Sequence, residues 1–200
     1  MLAEKIYYYE GNQDFTIERF SNKLIKMIKE IRCKKKKKGI VFFCIGSDRS
    51  TGDSLGPLIG YKLSQLLHLD TQKGKEEFQG ITVIGTLEEP IHAMNLEKYI
   101  QIVNCLYEDH VVIAIDASVG SPEHVGYITL GKGPLKPGLG VSKNLASVGD
   151  IFITGIVGDC GSYEPFMLQS IRLSVVMQMA DCISKGIYFV GKLWKISDRY

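Results

Sequence analysis

Residues 42–60 decide the fold of this chain, and they read FFCIGSDRSTGDSLGPLIG. The apolar run Ile40–Ile45 predicts a buried strand that stops at Gly46. A polar loop and then an amphipathic segment follow, which is typical of the front end of an α/β unit. In such folds, ligands bind in the loop that leaves the carboxyl end of a strand. Asp48 and Asp53 lie in or beside this loop, so it is the first candidate for a functional site.

Length and composition indicate one globular domain. The 200 residues are 45% hydrophobic and 23% charged, which is ordinary for a protein with one buried core. We expect an N-terminal arm and helix over 1–38, a core over 39–185 and a C-terminal tail over 186–200.

The sequence carries only a weak signal for a nucleic-acid partner, and we expect none. The net charge of +2 argues neither for nor against one. The five lysines of 34–38 have no interleaved aromatic residues, which makes them a weak signal for nucleic acid. We interpret them as a solvated connection at the negative end of a helix dipole, with an anionic partner as the alternative.

The sequence also predicts a cytoplasmic protein without a cofactor. The five cysteines contain no C-x-x-C pair, so neither a zinc site nor a dithiol motif is indicated, and a reducing compartment is expected. No phosphate-binding or dinucleotide-binding glycine motif is present. No signal-peptide pattern precedes the first helix. No stretch approaches the 18 uninterrupted apolar residues of a transmembrane helix, so we expect no membrane partner.

Strands and helices alternate along most of the chain. This alternation predicts a three-layer α/β/α fold with a mainly parallel central sheet. The strand before Gly131 is a candidate for antiparallel pairing. Residues 1–14 fit an edge strand or an arm equally well. The predicted helices cover 16–33, 53–68, 95–107 and 164–184, and the predicted strands cover 40–45, 81–86, 111–115, 125–130 and 151–157.

Two aspartates, Asp53 and Asp116, are the leading candidates for chemistry. Each is predicted just past the carboxyl end of a strand, at the edge of a parallel sheet where sites form. Two carboxylates across one cleft can divide the roles of general acid and base, because each raises the pKa of the other. The structural alternatives are a helix N-cap for Asp53 and a turn residue for Asp116. Spacing alone does not choose between these interpretations.

Among the four histidines, His92 is the one expected near this edge, because it follows the second predicted strand. The alternative for His92 is a solvated loop residue. His68 and His110 are expected to be structural or exposed, and His124 is expected at the wrong end of a strand. Cys160 is a weaker candidate nucleophile, since no histidine lies near it in the sequence.

Three blocks of the sequence resemble one known family. Residues 46–57 (GSDRSTGDSLGP) resemble the signature of the sporulation protein YyaC family, which is distantly similar to the germination protease of endospores. Residues 113–117 (IAIDA) resemble the second aspartate motif of that protease. Residues 137–143 (PGLGVSK), with the strand 153–157 (ITGIV), resemble a third block. The blocks occur in the same order as in the family.

The resemblance implies the α/β fold of the hydrogenase maturation endopeptidases, a phosphorylase/hydrolase-like fold. It also implies the aspartate pair of an atypical acid protease, carried here by Asp53 and Asp116. Asp48, His92 and Lys143 are then expected to orient a protein or peptide substrate, for which small spore proteins are the candidates. The protein would act in the spore or forespore interior.

Two departures limit what the resemblance carries over. The chain is much shorter than germination protease, so the propeptide and tetramer of that enzyme are not implied, and the oligomeric state stays open. The maturation endopeptidases hold nickel with an additional histidine, and residues 137–148 contain none. We therefore expect no metal unless His92 substitutes.

The leading hypothesis is a sporulation-associated peptidase with an aspartate pair. One rival is a sporulation protein that binds a protein partner in the same cleft without turnover, since a fold does not fix a function. Another is a metal-assisted maturation endopeptidase.

Overall fold

The computed structural model describes residues 5–11, 14–72, 80–138, 145–159, 168 and 171–197. Within these residues, six strands form one sheet. The strands are β1 (Tyr7–Glu10), β2 (Gly39–Cys44), β3 (Ile81–Ile84), β4 (His110–Gly120), β5 (Tyr127–Lys132) and β6 (Ile151–Asp159). The helices are α1 (Asp14–Lys35), α2 (Leu55–Gln72), α3 (Leu96–Leu106) and α4 (Leu173–Ser197).

The sheet is mainly parallel, as predicted. Its order is β1-β5-β6-β4-β2-β3. Strands β3, β2, β4 and β6 run parallel, and β5 pairs antiparallel with both β6 and β1. The antiparallel strand before Gly131 is therefore confirmed, although its neighbours are β1 and β6 rather than β4. Residues 7–10 form the edge strand that the sequence left open.

Helices cover both faces of the sheet, which confirms the three-layer fold. Strand β2 is buried along its whole length, and this explains why its sequence is a continuous apolar run. Alternate strand residues enter two separate cores. The core on one face contains Phe42, Ile113 and Ile153 with residues of α1, α2 and α4. The core on the other face contains Val41, Phe43 and Ala114 with Leu96 and Val103 of α3.

Helix α4 lies at the centre of the thicker helical layer. It contacts both α1 and α2, and its residues Val176, Ala180 and Ile183 are fully buried. The segment 173–193 is long and apolar enough, by length and composition alone, to cross a membrane. Half of an apolar stretch within this segment is buried inside the protein. Burial against the sheet and two helices therefore accounts for the apolar composition of α4.

The boundaries predicted for the last helix were wrong. Helix α4 begins at Leu173 instead of residue 164, and it continues to Ser197 through most of the segment predicted as a tail. The predicted helix ended at residue 184 and the predicted tail began at Gly186, but this glycine is buried in the helix, where a Cβ atom would lie 2.6 Å from the ring of Phe20. Gly186 thus permits close packing between α4 and α1. The described residues do not include 160–167.

Strands β4 and β6 are longer than predicted. Strand β4 continues to Gly120, so Asp116 lies inside the strand, paired with Thr154 of β6, instead of in a turn after it. Strand β6 passes through Gly155, where a Cβ atom would lie 2.3 Å from Leu55 of α2. Gly155 is therefore required for packing of α2 on the sheet.

Close backbone contacts fold the turn between β2 and α2 back onto the end of β2. Gly46 has φ +141°, and a Cβ atom there would lie 2.0 Å from the Asp53 carbonyl oxygen. A Cβ atom on Gly56 would lie 2.0 Å from the Ile45 carbonyl oxygen. Pro57 is the third residue of α2, which confirms its predicted place in the first turn. These contacts fix the position of Asp53 relative to the sheet.

We expect Gly56→Ala to destabilise the protein by about 1–3 kcal/mol, because the added methyl group has no space against the backbone of Ile45. In an uncrowded helix the same substitution stabilises by about 0.5–1 kcal/mol, so the sign is diagnostic. Urea unfolding followed by circular dichroism measures the change. Ser64→Ala, in the middle of the same helix, is the control and should change stability by no more than about 0.5 kcal/mol. A stabilised Gly56→Ala variant would contradict the packing described here.

Candidate active site

Asp53 and Asp116 line the same cavities at the carboxyl edge of the parallel strands. Asp53 lies in the single 3₁₀ turn Gly52–Ser54 between β2 and α2. Asp116 lies in β4, two residues beyond Ala114 and therefore on the same face of the sheet as α3. Both residues contribute to a cavity of about 400 Å³ and to an adjoining cavity of about 240 Å³. The structure thus brings together two residues that are far apart in the sequence.

Burial and repulsion from Asp53 favour the protonated form of the Asp116 carboxyl. The side chain is buried, and this desolvation raises the pKa of Asp116 well above its ordinary value. The neighbouring charge of Asp53 raises it further. The N–H of Ala117, which donates to Asp116 Oδ1 at 2.8 Å, opposes these effects only in part.

Asp53 is the partner that ionises more readily. Partial burial also raises the pKa of Asp53, but the Ser47 backbone and the charge of His92 both lower it. The Ser47 N–H also donates to the Asp53 main-chain carbonyl at 3.1 Å, which holds the turn against the carboxyl group. When the pair carries a single proton, this proton therefore resides mainly on Asp116.

The N-cap interpretation of Asp53 was wrong. Helix α2 begins at Leu55, so its N-cap position falls on Ser54, and Asp53 lies one residue earlier inside the 3₁₀ turn. Ser54 Oγ instead donates to the Thr51 carbonyl at 2.7 Å and closes that turn.

The other predicted site residues have different locations. His92 lies in the wall of the larger cavity with both aspartates. The ring Nδ1 atom of His92 accepts a hydrogen bond from the main-chain N–H of Met94 at 3.3 Å. The main-chain N–H of His92 donates to Asn95 Oδ1 at 2.8 Å. Asp48 is exposed in the turn and is not part of either cavity wall. Lys143 lies outside the described residues, as does Cys160.

Several polar residues of the cavities escaped sequence analysis. Arg49 and Ser50 lie in the wall of the larger cavity, and Lys136 lies in that of the smaller one. Ser50 Oγ is buried and finds no hydrogen-bond partner in the described part of the chain. Arg49 and Ser50 belong to the polar run after β2. Only the two acidic residues of that run, Asp48 and Asp53, were chosen as candidate site residues.

The predicted position of His124 was wrong. Because β5 is antiparallel to β6, the start of β5 lies at the edge where the parallel strands end. His124 shares a cavity of about 280 Å³ with Ser118 and Gly120, which continue β4 beyond Asp116. The error arose because the antiparallel direction expected for the strand 125–130 was not applied to the position of His124 at its start.

The donor set does not form a preassembled metal site. The two aspartates and His92 could each supply a ligand atom. However, the described residues contain no group of three or more histidine, cysteine or acidic side chains arranged to hold a metal ion. We therefore derive no step through a metal.

Residues 6–186 match the model of a family described as "Protein of unknown function (DUF1256)". The chain belongs to this family. The DUF1256 region includes all the strands, α1, α2, α3, both aspartates and His92. The chain is also 46% identical over 150 residues to the "Uncharacterized protein YyaC" of Bacillus subtilis (strain 168), covering 75% of this chain and 68% of that protein. These findings confirm the family resemblance seen in the sequence blocks.

The DUF1256 fold is similar to that of a known protease. The [NiFe] hydrogenase maturation protease HycI from Thermococcus kodakarensis KOD1 superposes with a TM-score of 0.53, over 78% of this chain and 94% of that protein. Their sequence identity is 17%, so the similarity concerns the fold alone. It confirms the α/β fold expected from the resemblance.

We expect Asp116→Asn to stabilise the protein at neutral pH. Folding raises the pKa of Asp116 above its ordinary value of 3.8, so above that pH the unfolded chain releases this proton more readily than the folded protein does. The unmodified protein therefore loses stability relative to the variant, by up to about 1.4 kcal/mol per pH unit, until the folded-state pKa is passed. The amide oxygen of Asn can still accept the Ala117 hydrogen bond.

Thermal unfolding between pH 4 and pH 9 measures this difference. The difference in unfolding temperature between the variant and the unmodified protein should be smallest near pH 4 and increase as the pH rises. Asp48→Asn, at an exposed position of the neighbouring turn, is the control and should show little change. A variant that is less stable than the unmodified protein at pH 7 would contradict the buried, protonated state of Asp116.

Proposed function

We propose that this protein is a peptidase that hydrolyses peptide bonds with Asp53 and Asp116. The observation that carries the proposal is the location of two carboxyl groups in one cavity with pKa values separated by their surroundings. Such a pair supplies a base and an acid at the same pH. The shared fold with a hydrogenase maturation protease supports a peptidase over other hydrolases.

The two carboxyl groups would have different roles in hydrolysis. Ionised Asp53 accepts a proton from a water molecule, whose oxygen attacks the carbonyl carbon of the substrate. Protonated Asp116 donates its proton to the amine nitrogen as the carbon–nitrogen bond breaks. Asp53 then holds a proton and Asp116 is ionised, and transfer of one proton between them restores the starting state.

Other residues of the cavity would bind the substrate. Arg49 and the buried hydroxyl group of Ser50 are positioned in the wall to bind main-chain oxygens of a polypeptide. The resemblance to germination protease supports small spore proteins as substrates, and a cytoplasmic location in the spore or forespore.

We expect Asp53→Asn and Asp116→Asn each to reduce kcat for peptide cleavage by about 10²–10⁴-fold, because each removes one proton-transfer group. Cleavage of purified small acid-soluble spore proteins, followed by mass spectrometry, measures the effect. Unchanged circular dichroism of both variants excludes unfolding as the cause. Full activity in either variant would refute the aspartate pair. Binding of the spore proteins without cleavage by the unmodified protein would favour the non-catalytic rival.

The activity should follow a bell-shaped pH profile whose acidic limb depends on His92. At low pH Asp53 becomes protonated, and at high pH Asp116 loses its proton, so activity falls on both sides. The positive charge of His92 lowers the pKa of Asp53. We therefore expect His92→Gln to move the acidic limb to higher pH and leave the alkaline limb in place. A movement to lower pH would contradict this electrostatic role.

Asp48→Asn tests the predicted contribution of Asp48 to substrate orientation. If the exposed carboxylate only attracts the substrate, the KM for the basic spore proteins rises severalfold and kcat stays unchanged. Steady-state kinetics at low and high salt measure both constants, because an exposed charge is screened by salt. A fall in kcat would place Asp48 in the chemistry and contradict its location outside the cavities.

A further inference from the structure

Helices α1 to α4 leave part of the sheet beside the aspartate pair uncovered. Among the described helices, α3 lies on the Asp116 side of the sheet, and its buried residues Leu96 and Val103 pack with residues of β2 and β4. Helices α1 and α4 contact β5 from the other face, where Ile128 and Leu130 are buried with them. None of these described helices, α1 to α4, therefore covers the face formed by β1, β5 and β6 on the Asp116 side.

The strand register places one row of side chains across this face. Asp116 pairs with Thr154, Thr154 pairs with Thr129, and Thr129 pairs with Tyr8. Paired residues of neighbouring strands project to the same side of a sheet, so the row runs from the aspartate pair to the edge strand β1. Three strand spacings separate its ends, which is about 14 Å.

The middle of the row is polar and well ordered by hydrogen bonds. Thr129 Oγ1 and Thr154 Oγ1 are 2.7 Å apart, and Ser118 Oγ donates to Thr154 Oγ1 at 3.0 Å. A β-bulge between Ser118 and Val119 lets both residues contribute to the same cavities. Bulges of this kind commonly re-aim side chains beside active sites.

The far end of the row is aromatic and exposed. The rings of Tyr8 and His124 stack with their centroids 4.9 Å apart, and Ser121 Oγ lies 3.0 Å from His124 Nδ1. Tyr8 is 48% exposed and Ile6 beside it is 45% exposed, although both are large apolar residues at the wall of a cavity of about 280 Å³. A rigid aromatic pair with an aliphatic neighbour is suited to bind an apolar side chain.

The cavity at Tyr8 is continuous with the candidate active site. It shares Ser118, Val119 and Thr154 with the cavity that contains Asp53 and Asp116. An extended polypeptide advances about 3.4 Å per residue, so four residues span the length of the row. A substrate that crosses the sheet face can therefore occupy both ends at once.

We propose that the Tyr8–His124 pair, with Ile6, is a subsite for the polypeptide substrate and takes an aromatic or branched aliphatic side chain about four residues from the cleaved bond. This inference rests on the proposed peptidase function. It adds to that function a specificity pocket about 14 Å from the aspartate pair, the length of the row of paired side chains.

Binding at the subsite can be measured without any cleavage. The probe is N-acetyl-phenylalaninamide, titrated into the ¹⁵N-labelled full chain, with N-acetylglycinamide as the control compound. We expect saturable shifts of the amide resonances of Tyr8, Ser118–Ser121 and His124 with the aromatic probe alone. Tyr8→Ala should weaken binding about fivefold, the loss expected for one aromatic contact. Phe189→Ala removes a similarly exposed aromatic residue from α4 and should leave binding unchanged.

Two results of this titration would overturn the subsite. One is an absence of saturable shifts at these residues, and the other is unchanged affinity in Tyr8→Ala. Sedimentation velocity provides a third test. Self-association that Tyr8→Ala abolishes would show that a second copy of the chain covers this face, and would also overturn the proposal.

Cleavage of a mixed peptide library, read by mass spectrometry, separates the subsite from the peptidase function. We expect enrichment of aromatic or branched aliphatic residues about four positions from the cleaved bond, and loss of this enrichment in Tyr8→Ala. Cleavage without that positional preference would overturn the subsite and keep the peptidase. Absence of all cleavage, with probe binding intact, would overturn the peptidase function and keep an apolar binding site.

Discussion

The placement of two carboxyl groups in one cavity, one buried and one partly buried, is the constraint on which the rest of this structure depends. Burial and the neighbouring charge both raise the pKa of Asp116, so its protonated form is favoured. The protein holds them there through rigid elements: Asp116 is inside a central strand, and Asp53 is in a turn whose glycines contact the backbone at the end of β2. Neither residue can move away without disturbing the sheet or α2.

The distribution of helices determines what can reach this pair. Three helices pack on one face of the sheet and form the larger core, whereas α3 covers only part of the other face. The cavities at the aspartates therefore continue along a sheet surface that the described helices α1 to α4 leave uncovered, as far as β1. An extended chain fits such a surface better than a compact metabolite does, which agrees with a polypeptide substrate.

Much of the fold could be predicted from local patterns, and the errors have identifiable causes. Apolar runs located each strand from β2 to β6, because strands buried on both faces have continuous hydrophobic sequences. Gly186 was expected to begin the C-terminal tail, yet it lies within α4 and permits close packing against α1. His124 was assigned to the wrong edge because the direction of a strand depends on its partners, which a local pattern does not contain. The importance of Asp53 and Asp116 came from the family resemblance as much as from their spacing.

The sequence by itself determined the α/β class, the turn at residues 46–57 and the two aspartates, because apolar periodicity, glycine and proline act locally. Only the tertiary structure decided that the aspartates share a cavity, that their surroundings separate their pKa values, and that Asp116 lies in line with Tyr8. These properties arise from strand order and register, which are set by contacts between residues far apart in the chain. Burial and electrostatic coupling follow from those contacts, and so they appear only once the chain has folded.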